Sequence, residues 1–185
     1  WIAATLGEAL GLKGADMQSL IAGSFLHDVG KIGIPDAILL KPGRLDADEM
    51  TIMRTHVEQG QEIVHGAGWL EGAAHVVASH HEKWDGSGYP KQLAADAIPL
   101  SARIFAVADV YDALSSKRPY KAPMPFAQVM SILAEGRGTH FDPAVLDTFE
   151  FMAPGIRDRI DRLDEAGIKR LMADMIERHF DAMSA

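Results

Sequence analysis

Six side chains able to bind metal lie between residues 27 and 109: the pair His27-Asp28, a lone His56, the pair His80-His81, and Asp109. They sit in apolar, helix-patterned surroundings, where an imidazole or carboxylate is costly to bury unless it is paired or bound to a cation. Singly each is ordinary; a lone histidine such as His56 on an apolar helix face is usually a satisfied core residue. Together they are improbable as packing. Two adjacent imidazoles followed by Glu82 rarely serve packing alone, and Asp109, preceded by Phe105, Ala106, Val107 and Ala108, needs a cation or several donors. A carboxylate can bridge two ions with its two oxygens, which an imidazole cannot do. Imidazole and carboxylate donors without thiolate favour iron or manganese over zinc. The chemistry expected is metal-assisted hydrolysis, two ions clamping a phosphate and generating hydroxide between them.

The elements that must position these groups read as helices nearly throughout. Residues 2–11 form the end of an amphipathic helix stopped near Gly11. Residues 16–29 form a second, with Leu20, Ile21, Ser24, Phe25 and Asp28 at helical spacing, broken by Gly30, Gly33 and Pro35; a loop follows over 30–45. Asp46 with Glu49 resembles a capping box, so a helix begins there and runs to about His65, with Ile52, Met53, His56, Gly60 and Ile63 on its inner face. A helix over 70–83 carries His80 and His81, and a glycine-rich loop spans 85–90. A helix over 100–116 carries Ile104, Phe105, Ala108 and Asp109, with Asp112 one turn on as a supporting or capping group. Two more helices fit 125–136 and 143–152. Pro154-Gly155 marks the best boundary, and residues 156–181 form a charged amphipathic segment. The fold expected is all-α: a helical bundle over 1–153 with a helical extension over 154–185.

The 185 residues suffice for one domain, and 48% hydrophobic with 24% charged residues is ordinary for a globular protein. The absence of cysteine removes disulfides, thiolate metal sites and cysteine nucleophiles, and agrees with a cytoplasmic location. No apolar run approaches the roughly 20 residues of a membrane span. A net charge of −8 argues against polymeric nucleic acid as a partner. A small phosphorylated ligand fits if metals or local cations reverse the field inside a cleft. The chain opens at Trp1 inside a helix-like pattern and reads as a piece of a longer protein with a regulatory domain upstream.

Two strings carry a family resemblance. His27-Asp28-Val29-Gly30-Lys31, followed by Ile32-Gly33-Ile34-Pro35, resembles the HD motif of the HD-GYP phosphodiesterases. His80-His81-Glu82-Lys83-Trp84-Asp85-Gly86-Ser87-Gly88-Tyr89-Pro90 resembles their GYP motif. The similarity continues through Ala108–Leu114, Arg118-Pro119-Tyr120-Lys121 and Gly138–Pro143. It implies an all-helical HD fold that hydrolyses the bacterial second messenger cyclic di-GMP to linear pGpG and onward to GMP, using two or three divalent ions, iron or manganese. By position it makes His27, Asp28, His56, His80, His81 and Asp109 the metal ligands. Asp28 is the bridge; His56, His80 and His81 complete one ion's protein shell; His27 and Asp109 hold the other. Lys31 matches the motif lysine, stabilising phosphate or protonating the leaving oxygen. Arg118 and Lys121 match residues that hold substrate phosphates, the arginine as a planar fork and the lysine as a point charge.

The loop Gly88-Tyr89-Pro90 is in that family a proposed contact for diguanylate cyclase domains; packing of Tyr89 onto the fold is the alternative. Family members place a further histidine, and in some a glutamate, on a helix upstream of the first position here. Lys117 stands where an acidic residue is common. His65, His75 and His179 belong to no motif, and His140 is assigned no chemistry. The rival reading is a catalytically idle HD-GYP module that binds cyclic dinucleotide or a cyclase partner. A nucleotide phosphohydrolase of the wider HD superfamily would share His27, Asp28 and Asp109 but leaves His80-His81 and the GYP string unexplained. The apolar stripe after Pro154 allows either packing on its own domain or a homodimer.

Overall fold

The computed structural model describes residues 1–117 and 122–180. Among them are α-helices and short 3-10 turns and no β-strand; one isolated bridge joins Arg137 and Phe141. The helices are α1 (Ile2–Ala9), α2 (Gly14–Leu26), α3 (Asp36–Leu39), α4 (Ala47–Arg54), α5 (His56–Gly66), α6 (Ala74–Ser79), α7 (Leu100–Ser115), α8 (Phe126–Glu135), α9 (Pro143–Asp161) and α10 (Glu165–Phe180). No helix among the described residues is long and apolar enough to cross a membrane.

The centre of the bundle is α7. Ser101, Ala102, Ile104, Phe105, Ala106, Val107, Ala108 and Tyr111 are all buried, and a helix apolar nearly all round must lie inside. Around it Leu6 of α1, Met17 and Leu20 of α2, Leu133 of α8, and Leu146 and Phe149 of α9 form one core. A smaller cluster of Val64, Ala73, Ala74 and Val77, backed by Leu26 and Val29, underlies the turn that carries His27 and Asp28.

That turn is fixed by a close backbone approach. The chain leaves α2 through His27 and Asp28 into a 3-10 turn, Val29–Gly33, that lies against α5. A Cβ on Gly30 would stand 1.9 Å from the His56 carbonyl oxygen and 2.4 Å from the Gly60 nitrogen. Only glycine lets the two backbones meet there, and this contact brings Asp28 beside His56.

Three expectations are corrected. The capping box at Asp46 and Glu49 forms as read, each side chain accepting the other residue's backbone N–H at 2.9 Å. The helix does not run on to His65, because both the N–H and the hydroxyl of Thr55 donate to the Ile52 carbonyl, at 3.1 and 2.7 Å. This tightened turn re-aims the chain, so α5 buries His56, Val57, Gly60 and Val64 while Ile52 and Ile63 are exposed. The helix expected over 70–83 is a 3-10 turn, Gly68–Ala73, followed by α6, which ends at Ser79. The Glu82 N–H bonds to the Ser79 carbonyl at 3.0 Å and closes that end, so His80 and His81 lie on the turn beyond it. Finally, α9 runs through Pro154-Gly155 without a break. Proline forfeits a helical N–H, but Ala153 and Ile156 are both buried and hold the helix on either side of it. Ile156 and Met175 of α10 join the main core, so the segment after Pro154 shares it.

Candidate metal centre

Each histidine reaches the centre from the end of an element. His27 terminates α2, His56 opens α5, and His80 and His81 follow α6. Three of the four rings are oriented in the same way. The Nδ1–H of His27 donates to the Ser24 carbonyl at 2.9 Å, that of His56 to Met53 at 2.7 Å, and that of His80 to Val77 at 3.0 Å. A carbonyl can only accept, so these contacts place a proton on Nδ1; in neutral His56 and His80 that leaves Nε2 with a lone pair, whereas His27 Nε2 faces Asp28 Oδ2 at 3.3 Å.

The Nε2 atoms of His56 and His80 are 3.3 Å apart, and both rings are buried. Two lone pairs facing each other at that distance repel, and a cation between them removes the repulsion. The separation also suits two nitrogens of one coordination shell, each about 2.1 Å from a shared ion. His81 completes the group: the ligand atoms of His56, His80 and His81 all lie within 4.8 Å of one another. Asp28 joins from the 3-10 turn, its Oδ1 3.7 Å from His56 Nε2 and its Oδ2 3.3 Å from His27 Nε2. Lys31 Nζ donates to Asp28 Oδ2 at 2.6 Å. Asp109 on α7 is half-buried, and its charge acts on His27. The phenyl ring of Phe105 packs against His27 and His80, with centroids 4.7 and 6.2 Å away.

The electrostatics favour deprotonated donors. Burial pushes His80 down to about 4, helped by the charge of His27, and pushes His81 down to about 3, helped by His80. Burial also lowers His56. His27 moves the other way: burial opposes its charge, but the hydrogen bonds to Asp28 and Ser24 and the charges of Asp28 and Asp109 outweigh burial. Burial likewise opposes the charge of Asp28, and hydrogen bonds from His27 and Lys31 overcome it, holding the carboxyl well below the usual carboxylate range. Neutral imidazoles beside an ionised carboxylate are what a divalent cation requires.

The structure therefore gathers His27, Asp28, Lys31, His56, His80 and His81 in direct contact, with Asp109 in electrostatic reach. Arg118 and Lys121 lie outside the described residues. Of the motif loop, Gly88 is buried, Tyr89 and Pro90 are half-buried, and the Tyr89 ring stacks on His81 at 4.6 Å. Asp112 accepts from the Ser116 hydroxyl at 3.0 Å at the end of α7, in keeping with a capping role. His65 and His75 are exposed, and His179 bonds to Glu8 at 3.0 Å. The backbone carbonyls of Thr139 and His140 accept from Asp85 and Trp84, at 2.9 and 3.1 Å, which ties the 85–90 loop to the start of α9.

Sequence reasoning missed Gly30 and Gly60 as the contact that sets the site's geometry, because a glycine read as a helix breaker says nothing of what lies against it. It also missed Glu82, buried at 2% exposure with Oε1 and Oε2 accepting the Lys91 and Leu93 N–H groups at 2.8 and 3.0 Å. An acidic residue directly after two adjacent histidines was the available signal.

Comparison with known proteins agrees with this geometry. A family model described as HD domain matches residues 1–145. A probable cyclic di-GMP phosphodiesterase of Vibrio cholerae is 53% identical over 132 residues, covering 67% of this chain and 30% of the relative. A 3′3′-cGAMP-specific phosphodiesterase of the same organism is 47% identical over 144 residues, covering 77% of this chain and 28% of the relative. The chain thus spans under a third of the length of these two. A crystal structure of a cyclic GMP-AMP-specific phosphodiesterase from V. cholerae aligns over 100% of this chain and 55% of its own, with a TM-score of 0.66 at 18% identity, a likeness of fold.

Proposed function

The chain belongs to the HD domain family, in its HD-GYP branch, and we propose that its metal centre hydrolyses a cyclic dinucleotide, cyclic di-GMP first, in the bacterial cytoplasm. The observation that carries the reading is the facing pair of Nε2 atoms of His56 and His80, 3.3 Å apart, on rings whose Nδ1 atoms are each turned to a backbone carbonyl. Relatives named for cyclic di-GMP and for 3′3′-cGAMP support the substrate class.

In this reading His56, His80 and His81 would hold one ion and His27 and Asp109 the other, with the Asp28 carboxylate available to both. Iron or manganese fits a nitrogen and oxygen donor set without thiolate. Bound divalent ions supply charge stabilisation at the phosphoryl oxygens and lower the pKa of a water nucleophile. The chain's own groups do the rest. Asp28 keeps its negative charge under burial and so fixes the ligand cluster around it. Lys31, tethered to Asp28 at 2.6 Å and only partly covered, brings an ammonium to the edge of the site. There it stabilises negative charge on the phosphoryl group and gives a proton to the leaving oxygen. The water oxygen bonds to phosphorus and gives up a proton to solvent, the P–O3′ bond breaks, and the 3′ oxygen takes the Lys31 proton, which solvent then restores, leaving linear pGpG. Arg118 and Lys121 are proposed to hold the substrate's phosphates. A diguanylate cyclase domain at the motif loop and a homodimer through the exposed Ile168 and Ile176 of α10 are the partner proposals; sedimentation of the chain alone and with a cyclase domain tests both.

The deciding experiment is anaerobic turnover of cyclic di-GMP and 3′3′-cGAMP by protein loaded with Fe(II) or Mn(II), with metal content measured on the same sample. Linear product with two or more ions per chain supports the enzyme. Metal without product from either substrate refutes it and leaves the idle binding module.

A further inference from the structure

His81 differs from the other three histidines of the cluster. Among the described residues its ring makes no hydrogen bond, whereas His27, His56 and His80 are each held by a backbone carbonyl three residues earlier. A ligand free to rotate about χ1 and χ2 would lose rotamer entropy on binding an ion. His81 is held by rings instead. One face lies on Tyr89, 4.6 Å away at an interplanar angle of 20°, the one parallel stack the ring makes among the described residues; it also meets His80 at 4.1 Å and 43° and His56 at 5.1 Å and 88°, neither of them parallel. Covering the face of an imidazole leaves its in-plane nitrogens uncovered, so this contact directs the lone pair sideways, toward the ligand atoms of His56 and His80. The guanidinium of Arg54 sits over the Tyr89 ring at 4.8 Å.

Tyr89 is in turn held by the backbone. Its N–H donates to the carbonyl of His81 at 3.2 Å. Gly88 lets the loop return this closely, since a Cβ there would stand 2.4 Å from the Lys83 nitrogen and 2.6 Å from the His81 carbonyl oxygen. Beyond Pro90, both oxygens of buried Glu82 accept backbone N–H groups, from Lys91 and Leu93. Hydrogen bonds to an ionised acceptor are stronger than neutral ones, and these two bind the far end of the loop to the residue next to His81.

We infer that Tyr89 is the positioning residue that orients His81 as a ligand, and that Glu82 holds Tyr89 in place by clamping the loop behind it. The Gly88-Tyr89-Pro90 segment then serves the metal centre from within the chain. The inference rests on the assignment of His56, His80 and His81 to one ion, and its test reads metal affinity as well as turnover. Mn(II) is titrated into wild type, Tyr89→Phe, Tyr89→Leu and Glu82→Gln, with free Mn(II) followed by electron paramagnetic resonance and folding followed by circular dichroism. Groups that orient a ligand typically contribute 10–100-fold in metal affinity. Tyr89→Leu should weaken Mn(II) binding by about that factor, whereas Tyr89→Phe, which keeps the ring, should bind as wild type does. Glu82→Gln presents an amide NH₂ to one of two backbone donors and should follow Tyr89→Leu; it tests the same clamp should Tyr89→Leu not fold. Unchanged affinity in folded Tyr89→Leu and Glu82→Gln would overturn the inference. An equal loss in Tyr89→Phe would also overturn it, by assigning the effect to the hydroxyl. Wild-type protein that binds no Mn(II) would instead overturn the metal-centre reading itself.

Discussion

Gly30→Ala is the sharpest test of how the fold builds the site. The added carbon would lie 1.9 Å from the His56 carbonyl oxygen, where ordinary contact begins at 3.4 Å. Neither atom belongs to a flexible side chain, so the 3-10 turn and α5 must part by about 1.5 Å to restore contact. Asp28 rides on the turn and His56 on α5, and their ligand atoms are 3.7 Å apart. Ligand distances in a metal site tolerate about 0.2 Å, so a displacement of this size should stop the two residues from sharing an ion. A misplacement of about 1 Å costs on the order of 100-fold in rate, and overpacking of this kind costs about 1–3 kcal/mol of stability. The assay is turnover, metal content and thermal melting on the same preparation. Turnover should fall about 100-fold with loss of metal, while circular dichroism still reports helix. Gly60→Ala should act in the same direction but more weakly, because its carbon would stand 3.0 Å from Val77 Cγ1 and 3.3 Å from the Gly30 nitrogen. Gly66→Ala, which meets nothing within 4 Å, should keep full activity and gain up to about 1 kcal/mol. Native turnover and native metal content in Gly30→Ala would refute the reasoning.

His56→Ala should abolish turnover and remove metal from the centre while the protein still melts cooperatively; retained turnover would remove His56 from the ligand set. Metal-free protein should lose stability as pH falls. Above about 6.5 folded and unfolded chains both hold a neutral His80, and below it the unfolded chain takes up a proton that the folded chain refuses until about 4. The loss across that window should be on the order of 3 kcal/mol for His80, with His81 adding in the same direction and His27, whose pKa is raised, opposing it; a flat melting temperature from pH 7 to 5 would contradict it. Asp142→Ala should cost about 3–5 kcal/mol, since this buried carboxylate accepts from Arg103 at 2.7 Å and from the Ala144 N–H at 2.8 Å at the start of α9. A melting temperature within a degree or two of wild type would show that solvent replaces both bonds. Saturating Mn(II) should raise the melting temperature, by about 2.7 kcal/mol of added stability at 100 times Kd, and chelation should reverse the gain.

Local chemistry was legible along the chain. The capping box at Asp46 and Glu49 is a contact between residues three apart, and it forms as read. The apolar run over 100–116 read as a helix, and α7 forms there. The types and spacing of His27-Asp28, His56, His80-His81 and Asp109 named a metal centre, because buried imidazoles and carboxylates have few other uses. Most of what stayed hidden depended on residues far apart in sequence; one feature was a local turn that periodicity does not register. Which face α5 buries was decided by the Thr55 turn, which shifts the helix so that Ile52 and Ile63 fall outside. The continuity of α9 through Pro154 was decided by Ala153 and Ile156 packing into the core, a gain that local propensity does not contain. The meeting of Asp28 with His56 was decided by two glycines, Gly30 and Gly60, whose value lies in what touches them. The two duties of the motif loop, stacking on His81 and closing onto Glu82, likewise exist only once the loop has folded back. Sequence thus determined which groups are able to bind metal, since that follows from side-chain chemistry; tertiary structure alone decided how they are aimed, since aim follows from steric contact between distant segments.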